Sequence, residues 1–162
     1  MSRVSRRPRA FALLVVALLA GSYALDAQVT GDRLLRAASE PHNWLTYGGT
    51  YSSQRYSALD QITPANVARL EARWVVQNQV FGAWQSNPLV VDGVMYLTQR
   101  PNDVMAVDAK TGSLYWLYRH TPSADAKVCC GANNRGVAIL GDLVFTGTLD
   151  ARLIAIDRVT GK

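Results

Sequence analysis

Val91-Asp92-Gly93-Val94-Met95-Tyr96 returns 49 positions later as Leu140-Gly141-Asp142-Leu143-Val144-Phe145. The same offset relates Val104-Met105-Ala106-Val107-Asp108 to Leu153-Ile154-Ala155-Ile156-Asp157, and Thr111-Gly112 to Thr160-Gly161, with no gap. Each copy reads as strand, Asp-Gly or Gly-Asp turn, strand, loop, strand, Asp-x-x-Thr-Gly turn, strand. Val, Ile and Tyr fill the strands, and glycines punctuate them, which excludes a helical repeat. A period of 40–50 residues built from short strands is the mark of propeller blades, so the fold class is all-β, a β-propeller.

Working outward, the residues after position 27 amount to about 2.75 such periods, whereas propellers close with four or more blades. The chain stops at Thr160-Gly161-Lys162, inside a repeat, ahead of the strand that in the first copy is Ser113-Leu114-Tyr115-Trp116. The expectation is an incomplete propeller, the front of a longer protein, with residues 28–162 forming two to three blades. Ahead of the repeats, Thr30 to Ala38 reads as a short helix with a threonine cap, and Thr63-Pro64 as the start of a second helix running to about Leu70. Asn43 to Leu59, rich in Tyr, Gly and Ser, reads as ordered loop, and Glu71 to Gln77 as a strand carrying Trp74 and Val76 on one face.

Composition is that of a folded chain, with 49% hydrophobic and 18% charged residues. The net charge of +5 is concentrated at the N-terminus. Arg3, Arg6, Arg7 and Arg9 precede the apolar run Ala10 to Ala20, and removing residues 1–27 leaves +2, scattered. That distribution is no footprint for a phosphate backbone, so no nucleic-acid partner is expected. Basic residues, an apolar run of 11 and small residues beyond it describe a secretory signal peptide over residues 1–27. The run is too short for a bilayer core that needs about 20 residues in a helix, which makes an uncleaved anchor the lesser alternative. Cleavage is expected after Ala27, or else after Ala24. Pro8-Arg9-Ala10 follows the Arg6-Arg7 pair where a twin-arginine signal would be apolar, so Sec-type export into an oxidising compartment is expected. The two cysteines exclude a four-cysteine zinc site, and His42 and His120 form no metal-binding pair.

Ala106, Asp108, Thr111, Gly112 and Trp116 keep the spacing Ala-x-Asp-x-x-Thr-Gly-x-x-x-Trp. Upstream stand Trp44-x-x-Tyr47-Gly48-Gly49, Arg55-Tyr56-Ser57-x-Leu59, Ile62, Asn66-Val67 and the run Asn87 to Tyr96. On these residues the chain, from about 40 to 162, resembles the PQQ-dependent (pyrroloquinoline quinone) alcohol dehydrogenases, the quinoproteins, whose propeller has eight blades. The resemblance implies an oxidoreductase that takes hydride from an alcohol, or a related hydroxyl substrate, onto the quinone with calcium as Lewis acid. A cytochrome c is then the expected electron acceptor. It also implies that tryptophans of the blade motif pack between blades, a role expected here for Trp74, Trp84 and Trp116.

The site residues follow from the same resemblance. Adjacent cysteines rarely bridge, because a disulfide wants Cα atoms farther apart than one peptide unit allows. Read from the residues alone, Cys129-Cys130 is two free thiols, one residue bridging another chain, or a strained ring. The resemblance implies the ring, a vicinal disulfide between Cys129 and Cys130 against one face of PQQ. It implies Arg135 as the donor to the cofactor's carboxylates or quinone oxygens, chemistry for which a permanently charged fork is suited. It implies a cofactor contact at Gln85, where many relatives carry a glutamate. No catalytic residue and no metal ligand is matched in this chain; the calcium ligands, the aspartate base and the tryptophan over the second quinone face come from later blades. Asp92, Asp108, Asp142 and Asp157 are read as turn residues bonding their own backbone, and His120 receives no role. The alternative readings are a non-catalytic PQQ-repeat scaffold in outer-membrane protein assembly and a propeller completed by another chain or by a second copy.

Overall fold

The computed structural model describes residues 28–78 and 80–162. The signal-peptide reading falls on residues 1–27, outside the described residues. No helix among the described residues is long and apolar enough to cross a membrane.

The two copies of the repeat form two antiparallel sheets. The first blade is β1 (Leu89–Val91), β2 (Val94–Gln99), β3 (Asp103–Asp108) and β4 (Leu114–Tyr118), hydrogen-bonded in chain order. The second holds β5 (Ala138–Leu140), β6 (Leu143–Gly147) and β7 (Leu153–Asp157). Register repeats with the sequence: Tyr96 opposes Ala106 in one blade, and Phe145 opposes Ala155 in the other. The small residue leaves room for the ring across the ladder.

Burial separates the blades. β3 is buried along nearly its whole length, whereas β5, β6 and β7 alternate, with Ile139, Val144 and Ile156 inside. Their outward partners Leu140, Leu143 and Leu153 are exposed. The core unites both blades with the N-terminal segment, through Val29, Leu34, Leu45, Leu89, Tyr96 and Ile156. Val29 bridges to Gly141 and Trp44 to Val90, so the segment before the repeats is tied to both sheets.

That segment begins with α1 (Gly31–Leu35), capped as expected by Thr30, whose hydroxyl accepts from the Arg33 N–H at 3.1 Å. It continues as a 3₁₀ turn over Ala37–Ser39. The second expected helix is not formed. Only a 3₁₀ turn, Val67–Arg69, occurs there, and it is Asn66 Oδ1 that takes the Thr63 N–H, at 2.7 Å. Val67 and Leu70 are exposed. A helix this short needs a buried face to hold it, and none is available. Glu71 to Gln77 has no ladder partner among the described residues, and Val75 and Val76 are exposed, so the expected strand is not formed either.

Trp74 nevertheless docks as the motif requires. Its Nε1 donates to Ala109 O at 3.2 Å, and Trp116 Nε1 donates to Arg158 O at 3.0 Å, acceptors that are again 49 positions apart. Each indole lies on the glycine of the next Thr-Gly turn: a Cβ at Gly112 would fall 2.6 Å from Trp74, and one at Gly161 2.7 Å from Trp116. Both glycines also have positive φ, so the turn and the indole contact demand glycine together. Trp84 is 38% exposed.

Candidate functional site

The segments leading into β1 and β5 run side by side, joined by a parallel bridge between Asn87 and Gly136. A Cβ at Gly136 would meet Asn87 O at 2.9 Å, and its φ is +130°, so only glycine allows this approach. Asn134, one residue upstream of Arg135, donates from Nδ2 to Gly147 O at 2.7 Å and accepts the Gly136 N–H at 3.0 Å. The buried Thr98 of β2 donates to Asn134 O at 3.3 Å. Arg135 is therefore fixed at the backbone on both sides, while its side chain projects into the open.

There the guanidinium meets Gln85: Arg135 Nε donates to Gln85 Oε1 at 3.3 Å. Gln85, Cys129, Cys130, Asn133, Arg135 and Thr148 line one open cavity of about 520 Å³. A neighbouring hollow of about 330 Å³ shares Asn133, Arg135 and Thr148 and extends to Tyr47, whose ring lies 5.3 Å beneath the Arg55 guanidinium carbon. All four residues named from sequence thus come to one place, although the first and last are 50 positions apart. Arg100, the first residue of the β2–β3 connection, donates to Ala132 O at 3.0 Å and to Phe81 O at 3.4 Å.

Cys129 and Cys130 are exposed, and their Sγ atoms lie 2.6 Å apart. The hydrogen bond with Cys129 pushes the Cys130 thiol up from its ordinary range, partly offset by the positive charge of Arg135. Asn133 Oδ1 is buried without a hydrogen-bond partner. A buried orphan acceptor costs stability unless something fills it, and this one lies on the cavity wall. Among the described residues no group of three or more His, Cys, Asp or Glu could hold a metal.

The loop that delivers the cysteines is anchored by a residue left without a role above. His120 Nε2 lies 3.0 Å from Asp150 Oδ1, and the backbone N–H of His120 donates to Asp103 Oδ1 at 3.2 Å. Asp150 also accepts from Thr148 Oγ1 at 2.5 Å and Ser123 N at 3.3 Å, and forms an ion pair with Arg152, Nε to Oδ2, at 3.3 Å. The Thr148 hydroxyl first, then His120, hold its carboxyl well below the usual carboxylate range, against the opposing effect of desolvation.

The family model for the glucose/ethanol/alcohol dehydrogenase β-propeller domain with PQQ matches residues 44–162. The chain belongs to the PQQ-dependent alcohol dehydrogenases. The dehydrogenase subunit of the quinone alcohol dehydrogenase of Gluconacetobacter polyoxogenes is 46% identical over 135 residues, covering 82% of this chain and 18% of that protein. The quinoprotein alcohol dehydrogenase PedH of Pseudomonas putida is 40% identical over 167 residues, covering 100% of this chain and 28% of that protein. The quinohemoprotein alcohol dehydrogenase ADHIIG of Pseudomonas putida HK5 superposes with a TM-score of 0.78 at 44% identity, over 84% of this chain and 20% of that one. A europium-containing methanol dehydrogenase gives 0.75 at 35%, over 82% and 24%. The chain thus spans between 18% and 28% of the curated relatives named here.

Membership makes the two sheets part of a β-propeller. The cavity residues missed from sequence are Asn133 and Thr148. Asn133 lay inside the motif from Cys129 to Gly136, where an amide beside the arginine was a signal to weigh. Thr148 carries no such signal, because it reaches the cavity through the β6–β7 connection.

Proposed function

We propose that this chain supplies one wall of the PQQ site of an exported dehydrogenase that oxidises alcohols, and that it binds the cofactor without turning over substrate by itself. The observation that carries the reading is the convergence of Gln85, Cys129, Cys130 and Arg135 on one cavity. A scaffold propeller has no need of that convergence. The fit to PQQ is chemical. Arg135 is a permanent cation for carboxylates, and the orphaned Asn133 Oδ1 and the Thr148 hydroxyl offer further polar contacts. When bound, PQQ would accept the electrons removed from the alcohol, with calcium held by residues outside this chain as Lewis acid. In the periplasm the Cys129 and Cys130 thiols would give up two protons and two electrons to an oxidising disulfide and close the vicinal ring. A cytochrome c as acceptor and a completing chain or second copy as partner belong to the same proposal.

The test is a titration of the purified full chain with PQQ, with and without calcium, followed by tryptophan fluorescence and visible absorbance, beside an assay of ethanol oxidation with an artificial acceptor. Saturable binding without turnover is expected. Absence of any saturable binding would overturn the cofactor reading, and turnover by the chain alone would overturn the second half.

A further inference from the structure

Asp150 sits at a turn, and a turn aspartate ordinarily satisfies its own backbone. Asp108 and Asp157 do so: Asp108 Oδ1 accepts from the N–H groups of Lys110 and Thr111, and Asp157 Oδ1 from those of Val159 and Thr160. Asp150 differs in two respects. Its side chain is only 6% exposed, and part of its accepting capacity goes to a loop 27 to 30 positions earlier, through Ser123 N and His120 Nε2. From its own turn it accepts from Thr148 Oγ1 and forms an ion pair with Arg152. One desolvated carboxylate therefore joins the approach to Cys129-Cys130 with the connection that presents Thr148 to the same cavity. His120 is pinned in turn by Asp103 of β3, in the first blade.

We propose that Asp150 and His120 are positioning residues that latch the cysteine-bearing loop onto the second blade and so fix the cofactor-facing wall. The latch deepens the PQQ reading and rests on it only for the consequence in binding; the mechanical part stands on the contacts alone. Between the latch and the cysteines lie the exposed residues Ala124, Asp125, Lys127 and Val128. Apart from the latch, no side chain of another element among the described residues hydrogen-bonds to them, so its loss opens Lys127 to trypsin.

The experiment compares the full chain with His120→Ala, His120→Gln and Asp150→Ala. Two quantities are read: the rate of tryptic cleavage after Lys127 relative to that after Arg69, an exposed and distant reference, and the PQQ dissociation constant. Taking the ratio removes any global loss of stability. Removing a hydrogen bond to a charged group should raise the Lys127 ratio about tenfold or more in His120→Ala and Asp150→Ala. In His120→Gln the amide can still donate to Asp150, so the ratio should return close to that of the unaltered chain. PQQ affinity should follow the same order. An unchanged ratio in both alanine variants overturns the latch, as does a His120→Gln chain no better than His120→Ala. If the unaltered chain binds no PQQ, the cofactor reading fails and the cleavage ratio still decides the latch.

Discussion

Arg135 faces Gln85 across an open cavity, and the single hydrogen bond between them, at 3.3 Å, leaves most of the guanidinium free for an anion. Its ordering is backbone work: Asn134 ties the segment to Gly147 O, and Gly136 accepts the approach of Asn87. Replacing Arg135 therefore removes charge without dismantling the loop. Arg135→Ala should weaken PQQ binding about tenfold to a hundredfold, the usual range for losing a charge-assisted hydrogen bond. Lysine keeps the charge but not the fork, so Arg135→Lys should fall between the two. The melting temperatures of both variants should match that of the unaltered chain. Isothermal titration with PQQ and a thermal melt check this together; a large loss of stability in Arg135→Ala would mean that the side chain holds the fold instead of the ligand.

The unit of construction at the next scale is a tryptophan set on the following blade's Thr-Gly turn. Trp116 packs at 6.0 Å from the Tyr96 ring as well as on Gly161, so its removal opens the joint between the blades. Trp116→Ala should cost about 2–4 kcal/mol, less than full burial of an indole would imply because the residue is half-buried. Trp116→Phe should retain much of the packing and lose the bond to Arg158 O, for about 1 kcal/mol. Chemical denaturation at fixed ionic strength separates the two. This element was legible in sequence because the Asp-x-x-Thr-Gly turn is locally determined: Asp108 and Asp157 close it through their own backbone, so the pattern appears intact in each repeat. The elements that misled were those whose form depends on distant partners. Thr63-Pro64 has good local chemistry for a helix, yet no apolar face is covered, and only a 3₁₀ turn survives. The site was legible where one motif carried it, Cys129 to Arg135, and illegible at Asp150 and His120, whose meeting depends on the blade's folded path.

Across the whole molecule, the three parts of the chain are joined by carboxylates. Asp92 and Asp142 were expected to bond their own backbone; instead Asp92, held at φ +52°, turns its carboxylate to Arg33, and Asp142 receives Arg158 and Gln28. Arg33 also makes a two-pronged contact with Glu40, at 2.8 to 3.0 Å, so one guanidinium clamps the N-terminal segment to the β1–β2 turn. Hydrogen bonding from Arg33, reinforced by Asn43, holds Glu40 below its ordinary 4.5 in spite of partial burial. A carboxylate depressed in the folded state stabilises the fold at pH above its unfolded value, and the contribution is lost as pH falls through the folded value. Asp108, Asp150 and Asp157 are displaced in the same direction. Stability of the chain should therefore be flat near neutrality and fall steeply once the pH drops below about 4.5, the ordinary value for Glu40. Glu40→Gln keeps the size and one acceptor but not the charge. At pH 7 it should cost about 1 kcal/mol, between an exposed ion pair and a charge-assisted hydrogen bond. As the medium is acidified that cost should shrink, and below the folded value of Glu40 the two chains should melt alike. Melting curves of both proteins from pH 7 to pH 3 test the linkage directly: a gap that stays constant through acidification would assign Glu40 a packing role and remove the clamp from the account of what holds the N-terminal segment to the blades.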